Sequence, residues 1–506
     1  MATGYVLAHE GPAVPSRAAI VTSTGARVHV IGRSTGGPSE TPVAVLQFHA
    51  TELLAEGEEA ARVLDAAARE TFPKMDTAKG KYHVLQAPAG GGKTSSVCSL
   101  CRAQRAARPD KAVLVLVFNR CAALEGSLRT TDDPGIVWRT LDSFLHEVFV
   151  HELREELRAD AGDPGSVADL CARLLGTAPE HEELRSLSKD LQKALNEGRS
   201  DGLTGKALRL FRCAERGEWF DFSTLRMRAR GDPRWQAAVA DYDTIVVDEA
   251  QDMNVVMLDL ISEVKEQHMI VFAMDAGQKL YGFMGCRDVT TLLPRDSYVL
   301  WTLYLTFRYG SAVCDFVNAL RLCRAPTCPA LGAPDTAVVS TRSATAVQEP
   351  HVALFATWAD ALQAADRYLA AGRRVSMDSA KREEMLTALR SPEANATSCQ
   401  QAFRRIGKAG VARILHAVGD CGDKVKDDVR LSTVHGFKGL EAGAVVVAAN
   451  VIDANGSFTS SQKARAYVAV TRSTLRLYLL ERRKRPAPAA RADDEDVARA
   501  EGEGSD

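Results

Sequence analysis

Long apolar runs, paired cysteines and a charge excess of one sign are all missing from this chain of 506 residues. No stretch approaches the roughly 18 apolar residues that span a bilayer, and the first residues lack the basic segment and apolar core of a secretory signal. The 11 cysteines lack the spacing of a zinc site or a disulfide framework. We therefore expect a soluble intracellular protein with buried free thiols and no membrane partner.

The charge is nearly balanced overall but uneven along the chain. The 63 basic and 65 acidic residues give a net charge of −2, and the seven acids and two arginines from Pro486 to Asp506 give −5, which leaves +3 on the rest. So small a charge does not attract polyanions in bulk, so any nucleic-acid site must be a local groove. Residues 483–506 are expected to be a disordered basic and acidic tail. Arg482–Arg485 is either a nuclear localisation signal or a solvated charge run, in which case the protein is cytoplasmic.

Short apolar runs alternate with helical segments from residue 81 onward. The runs are His83–Ala87, Ala112–Phe118, Thr244–Val247, His268–Ala273, Tyr298–Leu305, His351–Phe355 and Ala442–Ala448. Nearly continuous apolar strands between helices are typical of parallel sheets buried on both faces, so the predicted fold class is α/β. Residues 145–240 and, more weakly, 370–425 have the charge-rich pattern of helical insertions. Residues 1–80 form a small N-terminal extension of unknown role, with short strands at 18–21, 28–31 and 43–48 and a helix near 52–69.

The strongest local signal is a glycine-rich segment between an apolar strand and a helix that begins near Thr94. Its residues, all assigned to phosphate binding, are Ala87, Pro88, Ala89, Gly90, Gly91, Gly92, Lys93 and Thr94. Glycines let backbone N–H groups curl around phosphate oxygens, and the helix N-terminus adds partial positive charge. Lys93 would reach the β- and γ-phosphates, and the Thr94 hydroxyl would ligate Mg²⁺.

An acidic pair follows the apolar strand that ends at Val247. Asp248 and Glu249 would lie at the carboxyl edge of a sheet, where ligands of α/β folds bind. Asp248 would hold Mg²⁺ through water, and Glu249 would polarise the water that attacks the γ-phosphate. Acid pairs after strands are also common as helix caps, so this motif alone is moderate evidence. Its occurrence in one chain with the Lys93 motif makes the evidence strong.

The order and residues of these motifs resemble UvrD/Rep-type superfamily 1 DNA helicases, and most closely the F-box DNA helicase branch. The similarity runs over about residues 80–480 and includes Val117–Arg120, Thr140–Phe144, Met274–Phe283, Leu305–Gly310, Thr433–Glu441 and Ala466–Arg472. It implies two RecA-like P-loop NTPase domains, the first over 81–300 with the insertion at 145–240, and the second over 301–482 with a reduced insertion. It also implies that the protein uses ATP and Mg²⁺ and binds single-stranded DNA, including tailed duplexes.

The resemblance assigns nucleotide-site roles to residues in the family's third to sixth motifs, which match Met274–Phe283, Leu305–Gly310, Thr433–Glu441 and Ala466–Arg472 in that order. Gln278 would sense the γ-phosphate, Phe307 would lie against the adenine, and Arg308 would contact the γ-phosphate. Glu441 would contact the nucleotide, and Arg472 would act as an arginine finger. Because Arg308 and Arg472 fall in the second half of the chain, we expect them to approach ATP from a different domain than the phosphate loop.

DNA contacts are implied for six residues. They are Phe118, Asn119, Thr140, Tyr281, Phe283 and His435. Stacking of bases on the aromatic rings would tolerate any sequence and would be worth ~1–3 kcal/mol per base, while packing in the core is the alternative for the same rings. The ending from Tyr281 to Phe283 resembles the 3′→5′ branch of the family.

Four departures from the family pattern bear on function. The glutamine that reads adenine has no match, because Gln47 is too far from the phosphate loop and Gln86 is too close. Met284 replaces an arginine that contacts DNA, and Ala356–Trp358 falls in place of an Arg-Thr-Asn element. Trp358 either stacks on DNA or packs in the core, and packing is the favoured alternative. The interval from Thr357 to Thr433 is short, so strand separation would be weak.

These observations predict an ATP-dependent DNA helicase or translocase that moves 3′→5′ on single-stranded DNA. Two alternatives remain: an ATP-driven motor that strips proteins from single strands with little unwinding, and a catalytically degenerate DNA-binding scaffold. The intact set of charged and polar groups argues against the scaffold; it comprises Lys93, Asp248, Glu249, Gln278, Arg308 and Arg472. The residues leave open the pathway (repair, replication, recombination or a viral genome programme), and the preference for DNA over RNA rests on the resemblance.

Overall fold

The computed structural model describes a set of ranges that together cover most of the chain. They are residues 3–9, 19–21, 27–34, 43–49, 82–149, 157–177, 181–282, 285–303, 305–322, 327–329, 333–390, 397–420, 428–452 and 458–481. The chain divides into two compact units. The first comprises Met1–Val338, Ser432–Val445 and Asp453–Leu477, and the second comprises Val339–Leu431, Val446–Ile452 and Tyr478–Asp506.

The described ranges contain strands and helices in alternation from β5 onward. The strands are β1 (Thr3–His9), β2 (Ala19–Val21), β3 (Arg27–Ser34), β4 (Val43–His49), β5 (Tyr82–Gln86), β6 (Ala112–Val117), β7 (Ile136–Thr140), β8 (Leu157–Arg158), β9 (Trp219–Phe220), β10 (Tyr242–Asp248), β11 (Met269–Met274), β12 (Tyr298–Thr302), β13 (Leu305–Thr306), β14 (Cys328–Pro329), β15 (Ala337–Thr341), β16 (His351–Phe355), β17 (Val375–Met377), β18 (Val418–Asp420), β19 (Val429–Thr433), β20 (Ala442–Val447) and β21 (Ser473–Leu480). The helices are α1 (Lys93–Ala107), α2 (Arg120–Arg129), α3 (Leu141–Phe149), α4 (Pro164–Leu175), α5 (His181–Glu197), α6 (Gly205–Glu215), α7 (Phe222–Ala229), α8 (Pro233–Val239), α9 (Val255–Ser262), α10 (Val289–Leu292), α11 (Ser311–Ala319), α12 (Trp358–Ala370), α13 (Ser379–Arg390), α14 (Thr397–Ala417) and α15 (Ser460–Val470). The predicted α/β fold class is confirmed.

The first four strands form an antiparallel sheet in the order β1-β4-β3-β2. β1 pairs with β4 from Thr3 opposite His49 to His9 opposite Val43. The short strands predicted at 18–21, 28–31 and 43–48 are confirmed as β2, β3 and β4. The helix predicted near 52–69 lies outside the described residues.

A six-stranded parallel sheet forms the centre of the first unit, in the order β12-β5-β11-β10-β6-β7. All five pairings in this sheet are parallel, so all its strands end at the same edge. Gln86 at the end of β5 lies opposite Met274 of β11, and Asp248 at the end of β10 lies opposite Ala273 of β11. The loops that follow β5 and β10 therefore begin on either side of one strand, which is the arrangement in which α/β folds bind ligands.

Both faces of this sheet are buried, because successive side chains of a strand point to opposite faces. Val84 belongs to the cluster on the face covered by α3 and α9, whereas Leu85 belongs to the cluster on the face covered by α1. Leu114 and Val115 of β6 divide in the same way. Burial on both faces explains why these strands are continuous apolar runs in the sequence rather than alternating ones.

Helices α4 to α6 have a hydrophobic cluster of their own, which extends from Ala161 to Trp219. Trp219 is fully buried in it, and its indole N–H donates to the Leu210 carbonyl at 3.1 Å. By contrast Phe144 of α3 and Trp235 of α8 pack into the cluster of the central sheet. The separately packed segment is therefore narrower than the predicted insertion over 145–240; the predicted domain limits themselves stay a prediction.

The second unit contains β16, which is buried at all five positions, and α12, which buries Leu362 and Tyr368. β17 pairs in parallel with both β18 and β19. Helices α13 and α14 occupy the interval in which the sequence predicts a reduced insertion. The second of them contains Gly407 at a φ of 66°, which interrupts the helical backbone.

The apolar runs of the sequence correspond to strands with one difference. The run predicted from Tyr298 to Leu305 is broken into β12 and β13. Leu303 donates its N–H to the Gln86 carbonyl, and Leu305 then pairs with Cys328, so the chain leaves the sheet within the run. The edge strand β7, from Ile136 to Thr140, was missed because only its first three residues have an apolar side chain.

The sequence predicts neither a membrane span nor a disulfide framework, and the described part of the chain bears on both. None of its helices combines the length and the apolar character needed to cross a membrane. Its cysteines carry free thiols, and burial raises the pKa of the Cys98 thiol to about 11.

Candidate functional site

A cleft of about 1560 Å³ lies at the carboxyl ends of the parallel strands in the first unit. Residues that the sequence assigned to the nucleotide line it: Pro88, Gly90, Gly91, Gly92, Lys93, Thr94, Asp248, Glu249, Gln278, Phe307, Arg308, Glu441 and Arg472. Four residues assigned to DNA line the same cleft, namely Phe118, Asn119, Tyr281 and His435. One continuous space therefore contacts both sets of side chains.

The position of the two arginines differs from the expectation that they approach from another domain. Arg308 and Arg472 belong to the same compact unit as the phosphate loop. The reason is contact with the loop itself: Thr306 Oγ1 donates to the Ala89 carbonyl at 2.8 Å, and Phe307 N donates to the Gly90 carbonyl at 2.9 Å. The two arginines are therefore in the same unit as the phosphate loop, although they lie far from it in the sequence.

The phosphate loop has the backbone that its glycines predict. Gly90 and Gly92 have φ values of 70° and 72°, in the left-handed region that side chains disfavour. Helix α1 begins directly afterwards at Lys93, and among the described residues no side chain caps its first turn. The N–H groups at the start of a helix lack partners within the helix, so they attract an anion.

Lys93 forms ion pairs with both carboxylates of the acidic pair. Its Nζ lies 2.8 Å from Asp248 Oδ1 and also contacts Glu249 Oε1. Burial disfavours the charged ammonium, but the two carboxylates outweigh it and raise the pKa of Lys93 above its ordinary value. Burial likewise acts to raise the pKa of Glu249, and the positive charges of Lys93 and Lys438 outweigh it and lower that pKa. Both groups are therefore ionised at neutral pH.

Glu249 has an unusual backbone for a residue with a side chain. Its φ of 58° and ψ of 33° lie in the left-handed region, which costs about 1 kcal/mol or more for a residue other than glycine. The side chain is held by Lys93 on one oxygen and by Gln251 Nε2 on the other. This conformation turns the carboxylate into the cleft at the end of β10.

The oxygen donors at the loop fit a magnesium ion. Thr94 Oγ1 and Asp248 Oδ2 lie 3.3 Å apart. Mg²⁺ is bound in nucleotide sites by one or two protein oxygens together with phosphate and water, not by a cage of side chains. Accordingly, the described residues contain no group of three or more His, Cys, Asp or Glu side chains arranged around a point.

Gln278 connects the third motif with Arg472. Its Nε2 donates to Asp275 Oδ2 at 2.8 Å, and its Oε1 accepts from Arg472 Nη2 at 3.2 Å. Arg472 is 1% exposed and also donates to the carbonyls of Val468 and Leu440. Burial, followed by repulsion from a second guanidinium group, lowers the pKa of Arg472.

That second guanidinium group belongs to Arg308. Its Nη1 donates to the Thr471 carbonyl at 3.4 Å, and its Nε lies 2.6 Å from Glu441 Oε2. Glu441, predicted to contact the nucleotide, is thus also the counter-charge of Arg308. Phe307 is half-buried and packs against the cluster on the α1 face of the sheet.

Two of the residues assigned to phosphate binding are not among those that line the cleft. The N–H of Ala87 donates to the Met274 carbonyl at 2.9 Å, and the N–H of Ala89 donates to Tyr467 Oη at 2.8 Å. Both amides are therefore already bonded within the protein. This corrects the prediction that every residue of the segment binds phosphate, because the segment's first part anchors the loop.

Tyr281 and His435, assigned to DNA, lie side by side. Their ring centroids are 6.1 Å apart at an interplanar angle of 62°. Lys438 Nζ lies 5.2 Å from the Tyr281 ring centroid and forms an ion pair with Asp252. Sequence reasoning missed this pair, although both members lie in motifs that it had singled out.

The other residues assigned to DNA have structural contacts as well. Asn119 caps α2 by accepting from Ala122 N at 2.7 Å, and Thr140 accepts from Ser143 N at 3.1 Å. Phe118 is half-buried against the central cluster, in accord with the packing alternative. Thr140 is not among the residues that line the cleft.

Three of the sequence expectations concern departures from the family pattern. Gln86 Oε1 accepts from Ala276 N at 3.3 Å, so this glutamine is held within the sheet edge. Trp358 is half-buried, with Lys381 Nζ 5.8 Å from its ring centroid. Phe283, also assigned to DNA, and Met284 lie outside the described residues.

A glycine-rich loop between β5 and α1, with the Lys93 ammonium beside paired carboxylates at the end of β10, defines a P-loop NTPase. Comparison with family models agrees and is more specific. Residues 74–284 match the AAA domain, and residues 428–480 match the UvrD-like helicase C-terminal domain. These two matches together support a UvrD-like superfamily 1 helicase, a class that uses nucleotide and binds nucleic acid.

One curated relative and one solved structure are also similar. F-box DNA helicase protein 1 of Schizosaccharomyces pombe is 37% identical over 82 residues, which are 16% of this chain and 9% of that protein. The match thus spans only a small part of the relative's length. The crystal structure of Arterivirus nonstructural protein 10 (helicase) aligns with 95% of this chain and 77% of that chain, at 12% identity and a TM-score of 0.33. A similarity this low supports no conclusion about function.

Proposed function

We propose that this chain is an ATP-dependent DNA helicase or translocase that moves 3′→5′ on single-stranded DNA. The observation that carries the proposal is the gathering of Lys93, Glu249 and Arg472 around one cleft, although they lie in three distant segments. The same cleft is lined by Tyr281 and His435, so nucleotide chemistry and base contact would occur in one continuous space. The name of the S. pombe relative supports DNA as the nucleic acid.

Each charged group has a role that its position supports. The Lys93 ammonium and the N–H groups at the start of α1 would bind the phosphates, and Thr94 with Asp248 would hold Mg²⁺, which supplies charge compensation on the phosphate oxygens. Glu249, ionised at neutral pH, would accept a proton from the attacking water. Arg308 and Arg472 would stabilise the negative charge that develops on the γ-phosphate, while Phe307 would lie against the base.

Hydrolysis stimulated by single-stranded DNA tests the enzyme. We expect DNA to raise the ATPase rate of the wild-type chain, and Glu249→Gln to lower it by at least about 100-fold, because the general base is lost. Glu215→Gln, an exposed carboxylate on α6, is the matched control and should hydrolyse ATP at the wild-type rate. A wild-type chain that binds DNA without hydrolysing ATP would support the scaffold alternative instead.

The direction of movement is proposed from the ending of the third motif, from Tyr281 to Phe283. Duplexes with a 3′ or a 5′ single-stranded tail, offered separately, test it. We expect unwinding only of the 3′-tailed duplex, and unwinding only from 5′ tails would overturn the assignment. Parallel measurements with RNA strands test the preference for DNA.

A motor that strips proteins from single strands is the second candidate, because α13 and α14 are the only helices in the described part of the interval 371–428. A small insertion there offers little surface to a duplex. Displacement of streptavidin from biotinylated single strands, without unwinding of the tailed duplex, would favour this candidate over the helicase.

The proposal includes an intracellular location. Arg482–Arg485 would direct the protein to the nucleus if it acts as an import signal, and otherwise the protein would be cytoplasmic. Imaging of a fluorescent fusion with and without an alanine replacement of this tetrapeptide distinguishes the two.

A further inference from the structure

Tyr467 lies on α15, five positions before Arg472, and the motif resemblance assigns it no role. Its side chain is completely buried beside the phosphate loop and the third motif. The hydroxyl accepts from Ala89 N at 2.8 Å and donates to Asp275 Oδ2 at 3.1 Å. One hydroxyl group thus joins a loop amide to a carboxylate that lies 186 positions further along the chain.

Asp275 links Tyr467 to Gln278 and Arg472, the residues proposed to contact the γ-phosphate. Besides Tyr467, it accepts from Gly277 N at 3.0 Å and from Gln278 Nε2 at 2.8 Å. Gln278 Oε1 in turn accepts from Arg472 Nη2. A continuous chain of hydrogen bonds therefore runs from the phosphate loop to the arginine finger.

A branch of the same network reaches the acidic pair. Asp275 N donates to Gln251 Oε1 at 3.0 Å, and Gln251 Nε2 donates to Glu249. All of these groups are buried or partly buried, where an unpaired polar group is costly. The network therefore has few alternative arrangements.

The protein leaves room for the Tyr467 ring at a single glycine. A Cβ on Gly277 would lie 2.6 Å from Tyr467 Cε1 and 2.7 Å from Cδ1. Glycine at this position is needed for close approach of the ring, not for backbone conformation, since its φ is not in the left-handed region. Ring and glycine together place the hydroxyl between Ala89 and Asp275.

We propose that Tyr467 is a positioning residue, which holds the phosphate loop in register with Gln278 and Arg472. The inference rests on the proposed nucleotide site, in which Tyr467 touches no phosphate and acts through Ala89 and Asp275. Removing the hydroxyl leaves the Ala89 N–H without an acceptor and Asp275 Oδ2 with one donor fewer. The position of the phosphate loop would then no longer be tied to that of Gln278 and Arg472. Affinity for nucleotide and the hydrolysis rate should both suffer.

Tyr467→Phe is the test, because the ring and its packing stay. We expect the dissociation constant of the fluorescent nucleotide mant-ADP to rise about tenfold and kcat of DNA-stimulated ATP hydrolysis to fall about tenfold, as expected from the loss of a buried hydrogen bond. Tyr82→Phe is the matched control: it removes another largely buried bond of the same unit, from Tyr82 Oη to Ser262 Oγ, at the opposite end of β5. The control should change both values less than twofold.

A purely structural role predicts a different result. Tyr467→Phe and Tyr82→Phe would then lower the melting temperature similarly and leave mant-ADP affinity unchanged, which would overturn the inference. Binding of mant-ADP distinguishes the positioning role of Tyr467 from a purely structural one, whether or not the chain hydrolyses ATP. A wild-type chain that binds mant-ADP but lacks ATPase activity would contradict the proposed function alone.

Gly277→Ala gives a second, independent approach. The added methyl group would displace the Tyr467 ring, so its effect on mant-ADP affinity should match that of Tyr467→Phe. Because both variants act on one contact, the double variant should be no worse than the more severe single one. Additive losses, in chains that keep a cooperative unfolding transition, would count against the network.

Discussion

At the scale of single residues, Gly90 combines a backbone constraint with a packing constraint. Its φ is 70°, and a Cβ would lie 2.4 Å from Arg308 Cβ. We expect Gly90→Ala to lower the free energy of unfolding by about 2–5 kcal/mol, the sum of left-handed strain and overpacking, and to abolish most ATP hydrolysis. Urea unfolding and a steady-state ATPase assay measure the two effects.

Gly231→Ala separates strain from packing in the same unit. Gly231 has a φ of 78°, with nothing within 4 Å of the added Cβ. It should cost about 1 kcal/mol of stability through strain alone and leave the ATPase rate intact. Equal losses of ATPase activity in Gly90→Ala and Gly231→Ala would show that the close approach of Arg308 to Gly90 does not matter for hydrolysis.

Asp275 provides a pH dependence at the residue scale. Burial, opposed by the hydrogen bond from Gln278, raises the pKa of Asp275 from 3.8 to about 6. Protonation would remove a lone pair that accepts bonds from Gln278 and Tyr467, so kcat/KM for ATP should fall as the pH drops through about 6. A profile that is flat between pH 7 and pH 5 would contradict this expectation.

The same pKa has a consequence for stability, of opposite sign. The folded chain binds the Asp275 proton more tightly than the unfolded chain does, so this group's contribution to the free energy of unfolding decreases as the pH rises from about 4 to about 6. Asp252, whose pKa burial also raises to about 6, adds to the same trend. Asp275→Asn should reduce the pH slope of urea unfolding in this range.

At the scale of elements, helices α4 to α6 should unfold separately from the sheet, because their cluster is distinct from the two clusters of the sheet. Leu210→Ala, at a fully buried position of α6, should cost about 2–5 kcal/mol locally. Hydrogen exchange should then rise in these helices while β10 and β11 stay protected.

Val246→Ala is the counterpart within the sheet. Val246 is fully buried on the α1 face of β10, the strand that leads to the acidic pair. Exchange should increase across the sheet in this variant. If Leu210→Ala produced the same pattern, the helices would not be a separate cooperative element.

At the scale of the whole molecule, Lys438 connects the nucleotide segment with the proposed base contact. It pairs with Asp252, three positions after Glu249, and its ammonium lies over the Tyr281 ring. We expect Lys438→Met to reduce DNA-stimulated hydrolysis about tenfold and basal hydrolysis much less, because it removes a coupling between two binding events. ATPase rates across a titration of single-stranded DNA measure both.

Lys381→Met is the matched control for that variant. Lys381 also lies over an aromatic ring, that of Trp358, and also pairs with an acidic residue, Glu384. It lies in the second unit and outside the cleft, so basal and stimulated rates should both stay at the wild-type level. Equal losses of the two rates in Lys438→Met would argue for a stability effect rather than coupling.

The order of residues alone predicts the fold class and many of the residues that line the cleft. Strands such as β10 are short apolar runs, and the residues that follow them must lie at the carboxyl edge of a parallel sheet. Because this chemistry is local, the phosphate loop, Asp248 and Glu249 can be located from the order of residues alone. The motif context extended the same reasoning to Gln278, Arg308 and Arg472.

Folding of the whole unit decides which groups bond to one another. The Ala89 amide bonds to a tyrosine 378 positions away, and Lys438 pairs with an aspartate 186 positions away. Periodicity and spacing report on neighbours within a helix or strand, so they do not reveal contacts closed by folding of the whole unit. For that reason the sequence could name Ala87 as a ligand residue, whereas folding uses its amide to anchor the loop.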